Sequence, residues 1–368
     1  MNIITKQLEN INKDVNLATF GDVTEILFID IETTGFQAVS SSLYLIGCAY
    51  FDGVTYTCKQ FFAEKPSEES KILAEFLKFA SRFRILIHFN GNNFDIPYLD
   101  EKCKKYGLDS IFVDMIGIDL YRRISPYKNF LKLPNCKQKT LEQYLHIDRK
   151  DIYSGKDLVN VYHEYVKLFN VDQLTKLLIH NEEDIQGMIN ITPMLTYTYI
   201  FNEKLIVTKV NMDTYVDANG EKNTALVMKL KLPAKLPQPI THMAGGCYFK
   251  GENTDGVLKV PVYDGELKYF YSNYKDYYYL PAEDEALHKS VASFVDPAHR
   301  IQAQASTCYT RVTSHFLQEW ELLYTPFFKK DYSDKEIYFE ITDERKKDRE
   351  FFSEYSTHVL NIISSLVI

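Results

Sequence analysis

Apolar residues recur along the first half of the chain in two rhythms. Residues 25–31, 43–50 and 55–62 are short apolar runs, and Thr34-Gly35 and Asp52-Gly53 mark turns between them, so they read as three strands. Over 67–81, Ile72, Leu73, Phe76, Leu77 and Phe79 fall at helical spacing and predict an amphipathic helix. A strand over 84–89, a helix over 95–106 and a short strand over 111–114 follow. From about 117 to 195 the pattern is helical, broken at Ser125-Pro126, Leu133-Pro134 and around Ser154-Gly155. Meandering strands followed by strands alternating with helices predict an α/β domain with a mixed sheet flanked by helices.

After Pro193 the pattern changes. Residues 204–216 and 223–232 read as strands around the turn Asp217-Ala218-Asn219-Gly220. A proline-rich link over 232–239 leads to a Tyr-rich stretch at 262–280. A helix over 282–294, strands near 301–312 and a helix over 343–367 complete the expectation of an α+β accessory domain. The chain divides accordingly into an N-terminal extension (1–21), an α/β domain (22–195) and the accessory domain (196–368). A length of 368 residues agrees with two cores rather than one.

Composition narrows the class. The net charge of −8 argues against wholesale attraction to nucleic acid, but a local basic groove is compatible with it. Six dispersed cysteines without C-x-x-C spacing favour reduced thiols over a disulfide framework or a zinc site. No apolar run approaches the ~20 residues needed to span a bilayer, and residues 1–25 lack the pattern of a signal peptide. The expectation is a soluble, cytoplasmic protein with no membrane partner. The 27 tyrosines have a bland role in sheet packing and a functional one in stacking on bases; packing is the favoured reading.

The chemistry-bearing feature is Ile29-Asp30-Ile31-Glu32-Thr33-Thr34-Gly35. Side chains at i and i+2 of a strand share a face, so Asp30 and Glu32 converge at the end of an apolar strand. Two buried carboxylates there demand neutralisation, and a hard divalent cation such as Mg²⁺ or Mn²⁺ supplies it. Asp95 follows an apolar strand and a Gly/Asn turn, near the start of a helix; a simple N-cap is its bland alternative. His180 and Asp184 are spaced i, i+4 and lie on one helix face.

In order and local context, Asp30, Glu32, Asp95 and Asp184 resemble the acidic motifs of the DEDD exonuclease superfamily. Residues 22–195 resemble in particular the YprB-like branch of ribonuclease H-like domains. Asp119-Leu120-Tyr121-Arg122-Arg123, Lys139-Thr140-Leu141-Glu142, Arg149-Lys150-Asp151 and Ser154-Gly155-Lys156 also match that branch. The resemblance implies a ribonuclease H-like fold and hydrolysis of nucleic-acid phosphodiester bonds by a 3′–5′ exonuclease with two divalent metal ions. Asp30 would bridge both ions, Glu32 and Asp184 would complete one site, and Asp95 would support the other. Thr33, Thr34, Gly35 and Asn90 would contact the nucleic acid, whose free 3′ end is the implied substrate.

His180 departs from both DEDD subclasses, standing at the tyrosine spacing, four residues before the last Asp. A general base is the favoured role, with orientation of a metal-bound water or helix packing as alternatives. Between Asp119 and Glu142 there are cations but no acidic residue, and Arg122, Arg123, Lys128 and Lys132 are candidates for phosphate contact. A solvated face is the equal alternative for that run. DNA and RNA remain equally open, as does cleavage within a strand. A nucleic-acid-binding or regulatory protein that keeps the fold without turnover is the competing class.

Overall fold

Six strands build one sheet: β1 (Asn2–Gln7), β2 (Ile26–Thr33), β3 (Leu43–Phe51), β4 (Tyr56–Phe62), β5 (Ile85–His88) and β6 (Ile116–Asp119), in the order β1-β4-β3-β2-β5-β6. β2 pairs antiparallel with β3 and parallel with β5, so the sheet is mixed. This computed structural model describes residues 1–12, 14–150, 153, 155–216 and 219–366. They fall into two compact units, Met1–Thr198 with Leu236–Gln238, and Tyr199–Lys235 with Pro239–Ile368. The expected turn residues Asp217 and Ala218, and Asp151 and Ser154 of the family-like stretch, lie outside the described residues, as does the side chain of Lys156.

Helices cover both faces of the first sheet: α1 (Glu69–Ala80), α2 (Asp95–Tyr106), α3 (Leu120–Ile124), α4 (Gln138–Tyr144), α5 (Gly155–Leu168) and α6 (Val171–Asn190). Leu27, Ile29 and Ile31 of β2 pack with Ile72, Leu73 and Phe76 of α1 and Leu99 of α2. Tyr44, Leu45 and Phe62 pack instead with Leu158, Tyr162 and Tyr165 of α5 and Leu177 of α6. Burial on both faces is what a near-continuous apolar strand such as β2 encodes. Strand alternation then turns Asp30 and Glu32 toward the α6 side, opposite Leu27, Ile29 and Ile31.

One close approach makes this packing possible. Gly47 of β3 lies opposite Asp30 in the β2–β3 register. A Cβ at Gly47 would stand 1.9 Å from Asn181 Oδ1 and 2.4 Å from Ile185 Cδ1, both on α6. Only glycine lets α6 press onto the sheet at this point.

α7 (Thr196–Asn202) carries the chain into the second unit, which is β-rich. Its main sheet joins β7 (Ile206–Val216), β8 (Lys222–Lys231), β9 (Ile240–Ala244), β10 (Cys247–Glu252), β11 (Asp255–Phe270), β15 (Tyr309–Glu319) and β16 (Ile337–Glu340). β12 (Tyr277–Leu280), β13 (Glu285–His288) and β14 (Ile301–Gln302) form a small second sheet, next to the single turn α8 (Lys289–Ala292). The long helix α9 (Arg349–Ser365) packs on β7, where Val207 N donates to Ser353 Oγ at 3.0 Å.

Four expectations need correction. The first 21 residues are not a mere extension, because β1 pairs along β4 from Asn2↔Phe62 to Gln7↔Thr57. Residues 112–114 form a single 3-10 turn; the strand lies at Ile116–Asp119, where parallel pairing with Ile85–His88 sets the register. The helix expected over 282–294 is a strand, β13, followed by α8. Asp284 adopts φ 52° there and accepts from Tyr279 at 2.7 Å, and from Tyr309 and Arg311, so tertiary contacts override helical propensity. The last helix begins at Arg349, six residues later than expected, because Asp348 caps it by accepting from Phe351 N at 3.0 Å. All six cysteines are free and buried. Among the described residues no helix is long and apolar enough to cross a membrane.

Candidate active site

Strand β2 and helix α6 meet at the acidic centre. Asn181 Nδ2 donates to Asp30 Oδ2 at 2.9 Å and also approaches the Asp30 carbonyl at 3.4 Å. Asn181 Oδ1 in turn accepts from Gln60 Nε2 at 2.9 Å, which anchors the amide to β4. One turn of helix brings His180 and Asp184 to the same face. His180 Nε2 lies 3.2 Å from Asp184 Oδ2 and 3.5 Å from Glu32 Oε1. The Tyr44 hydroxyl also reaches Glu32, at 3.4 Å from Oε2.

Asp95 enters from the opposite side of β2. It is the first residue of α2, but Phe94 holds the N-cap position and makes no side-chain cap. Asp95 Oδ1 instead accepts from the backbone N–H of Ile31, between the two β2 carboxylates, at 3.2 Å. The N-cap alternative for Asp95 therefore fails. Its turn is organised by buried Asp119, which accepts from the N–H groups of Asn90 at 3.0 Å, Asn92 at 3.3 Å and Arg122 at 3.2 Å. Asn90 takes the left-handed conformation, φ 61°, and Asn93 Nδ2 donates to its Oδ1 at 2.6 Å.

The electrostatics follow from burial of like charges. Asp30 is pushed well above the usual carboxylate range, first by burial and then by the negative charges of Asp184, Glu32 and Asp95. Burial lifts Glu32 to about 7, against the opposing pull of His180. Burial likewise lifts Asp95 to about 7 despite the Ile31 hydrogen bond. Burial also acts to raise Asp184, yet the His180 hydrogen bond and charge, together with Arg149, leave it below its ordinary value. Three carboxyls are thus held toward neutrality while His180 and Arg149 hold the fourth below its ordinary value.

The cation on Asp184 is one that sequence reasoning did not assign to the site. Arg149 Nη2 donates to Asp184 Oδ1 at 2.5 Å, and Nη1 donates to Glu142 Oε1 and Oε2 at 3.1 and 3.2 Å. Gln138 Nε2 joins the group through the Asp184 carbonyl at 2.7 Å. Glu142 and Arg149 belong to the family-like stretches, which was the available signal. Asn181 carried a fainter one, a polar residue at a buried helical position beside His180.

The remaining candidates are placed as follows. Thr33 ends β2, and the Gly35 carbonyl accepts from Thr33 Oγ1 at 2.8 Å and Ser41 Oγ at 2.9 Å. Thr34 Oγ1 accepts from Ser42 N at 2.8 Å, so this backbone is braced by its own loop. Arg122 joins the Asp95 turn through Asn93 Oδ1 at 3.3 Å, whereas the Arg123 guanidinium sits 5.3 Å from the centroid of the Phe20 ring. Lys128 and Lys132 make no ion pair with the acidic cluster among the described residues. The structure brings Asp30, Glu32, Asp95, His180 and Asp184 into one neighbourhood, and Arg122 of the basic run reaches a turn that borders it.

The donor set suits a hard divalent cation. Glu32, His180 and Asp184 each offer an atom, and these atoms all lie within 4.8 Å of one another. Carboxylate oxygens are ligands that a hard divalent cation takes, and cation charge is what the neighbouring buried carboxyls lack.

No curated protein sequence matches this chain significantly. Similar solved structures include the family B DNA polymerase of the archaeon Pyrobaculum calidifontis, at 14% identity, covering 68% of this chain and 35% of that one, with a TM-score of 0.37. E. coli exonuclease I is similar in a zinc-bound complex with single-stranded DNA, at 12% identity over 57% of this chain and 55% of that one, with a TM-score of 0.31. With a dT13 oligonucleotide the same enzyme gives 13% identity, the same coverages and a TM-score of 0.29. Residues 27–196 match the family RNase_H_2, of the RNase_H superfamily. Through this segment, with its mixed sheet flanked by helices, the chain carries an RNase H-like domain.

Proposed function

We propose that the protein is a metal-dependent nuclease that hydrolyses nucleic-acid phosphodiester bonds, acting as a 3′–5′ exonuclease with two divalent ions, Mg²⁺ or Mn²⁺. One observation carries the reading: carboxylates from three distant segments, Asp30 and Glu32, Asp95, and Asp184, converge with His180 in an RNase H-like domain. The RNase H-like domain supports a nuclease; exonuclease polarity is the finer part of the proposal.

Asp30, Glu32 and Asp184 are the residues that would hold the ions, with Asp95 supporting the second. Bound there, the two cations supply neutralisation of the phosphate and acidification of the attacking water. His180 Nε2, beside Glu32 and Asp184, is the group within reach of a proton on a water held at those carboxylates. Asn181 keeps Asp30 turned toward α6, and Tyr44 does the same for Glu32. The Thr33–Gly35 backbone, Asn90 and Arg122 border this centre and are the proposed contacts for the terminal nucleotide.

End-labelled single- and double-stranded DNA and RNA, incubated with the protein with and without Mn²⁺, test the reading. Stepwise shortening from the 3′ end that depends on Mn²⁺ is the expected result. Internal products reassign the protein as an endonuclease, and binding without any cleavage by the native protein overturns the catalytic reading.

A further inference from the structure

Among the described residues, Asp184 is the only one of the four carboxylates held by an ion pair with arginine. Arg149 Nη2 meets its Oδ1 at 2.5 Å, while Oδ2 faces His180 at 3.2 Å. The guanidinium is itself anchored. Both oxygens of Glu142 accept from Nη1, and the Glu142 side chain is 1% exposed. A carboxylate so buried needs its counter-charge close by, so Glu142 fixes where Arg149 can be. Helix α4 adds a brace, because Gln138 Nε2 donates both to Glu142 Oε1 at 2.9 Å and to the Asp184 carbonyl at 2.7 Å. Helix α6 accommodates the arrangement with Gly187, where a Cβ would lie 2.0 Å from Glu142 Oε1.

A cation placed on a candidate metal ligand has consequences for any second cation. Arginine stays protonated at every accessible pH, so its charge is permanent. A divalent ion using Asp184 must share the carboxylate with Arg149 and enter against its charge. We propose that Arg149, held by Glu142, is a built-in counter-cation that occupies Asp184 and sets the concentration at which divalent ions fill the site. This rests on the metal reading given above. In this role Arg149 is a positioning residue: it touches the ligand and not the reacting atoms. The arrangement keeps Asp184 ionised and oriented at low metal concentration, and it makes occupancy depend on the balance between Arg149 and Glu142.

That balance gives a test whose two arms move in opposite directions. Arg149→Met removes the charge and frees Asp184 Oδ1, so calorimetric titration of the full chain with Mn²⁺ should give a Kd lower by about tenfold. Glu142→Gln removes the carboxylate that Arg149 Nη1 bonds, so more of the Arg149 charge acts on Asp184 although Glu183 stays 3.9 Å from Nε, and the Kd should rise by a similar factor of about ten. Arg149→Lys keeps the charge and should bind Mn²⁺ near the native Kd. A purely structural role would weaken binding in both neutral variants, with circular dichroism melts reporting the lost packing. Equal or weaker Mn²⁺ binding by a folded Arg149→Met protein overturns the inference. If that variant does not fold, Glu142→Gln decides: weaker binding with a native melt supports the inference, and unchanged or tighter binding, or weaker binding with a lowered melt, overturns it. Lack of Mn²⁺ uptake by the native protein overturns the metal reading and this inference with it, whereas native uptake with the wrong variant response overturns this inference alone.

Discussion

Asn181 Nδ2 donates to Asp30 Oδ2 across 2.9 Å, and this hydrogen bond ties α6 to β2 at the acidic centre. Asn181 is fully buried and its Oδ1 is bound to Gln60, so the amide spans three elements. Asn181→Leu should cost about 1–3 kcal/mol, the range for stranding buried polar partners. Urea denaturation monitored by circular dichroism measures it. A midpoint equal to native would mean that the amide is not a tie.

Gly47→Ala should destabilise the first unit by a different route. Its Cβ would stand within 1.9 Å of Asn181 Oδ1 and 2.4 Å of Ile185 Cδ1, so α6 must retreat from the sheet. Overpacking of this kind costs about 1–3 kcal/mol. Because α6 carries His180 and Asp184, activity should fall further than stability at a temperature where the variant is folded. Comparison of kcat with the thermal melt of the same sample separates the two.

The pH dependence has a defined sign. Glu32 and Asp95 bind protons up to about pH 7 when folded, against ordinary values of 4.5 and 3.8, and Asp30 shifts the same way. A raised carboxyl value stabilises the fold below the ordinary value, and this contribution is lost as pH climbs through the folded one. Metal-free protein should therefore lose Tm between about pH 4 and pH 7 from these groups. Asp184, held below its ordinary value, contributes the opposite slope only at more acidic pH. Asp30→Asn should raise the Tm at pH 8 by several degrees in a chelator while abolishing Mn²⁺-dependent cleavage. Differential scanning calorimetry at pH 5 and pH 8 reads the first part; a Tm that rises with pH in the native protein would refute the electrostatic account.

His180→Ala should slow cleavage by about 10²–10⁴, the usual contribution of a general base, and remove the acidic limb of the pH–rate profile. Mn²⁺ affinity distinguishes this from ligation, because Nε2 is also one of the three converging donor atoms. Retained affinity with a lost acidic limb is the expected pair of results. Affinity lost together with rate would make His180 a ligand.

Arg122 borders the Asp95 turn, whereas Arg123 is engaged on Phe20. Neutralising Arg122 should lower the logarithmic salt slope of substrate binding by about 0.7–0.9, the value of one phosphate contact. Neutralising Lys128 and Lys132 tests whether the rest of the run contributes in the same way. Fluorescence anisotropy across a salt series provides both slopes, and slopes that do not move return the run to a solvated face.

The acidic centre was legible because strand alternation and helical i, i+4 spacing are local rules. Asp30 with Glu32, and His180 with Asp184, could be paired before any fold was known. The Glu142–Arg149–Asp184 chain was not legible in the same way. Arg149 lies 35 positions before Asp184, and packing of α4, which carries Glu142, against α6 helps bring the three together. Local propensity misled most in the second unit, where the 282–294 segment reads as helix but the Asp284 contacts and pairing with β12 impose a strand. The 111–114 segment failed for a related reason: its β-branched residues suggest a strand, yet the parallel register begins at Ile116.

Strand β1 matters beyond the pairing it makes. It covers the outer margin of β4 from Phe62 to Thr57. A shortened protein beginning at residue 22 would leave that margin with open donors and acceptors along Thr57–Phe62, a stretch that ends in two phenylalanines. Such an edge recruits other chains. Preparations trimmed to the acidic-motif region should therefore self-associate, and the first seven residues act as a solubility guard.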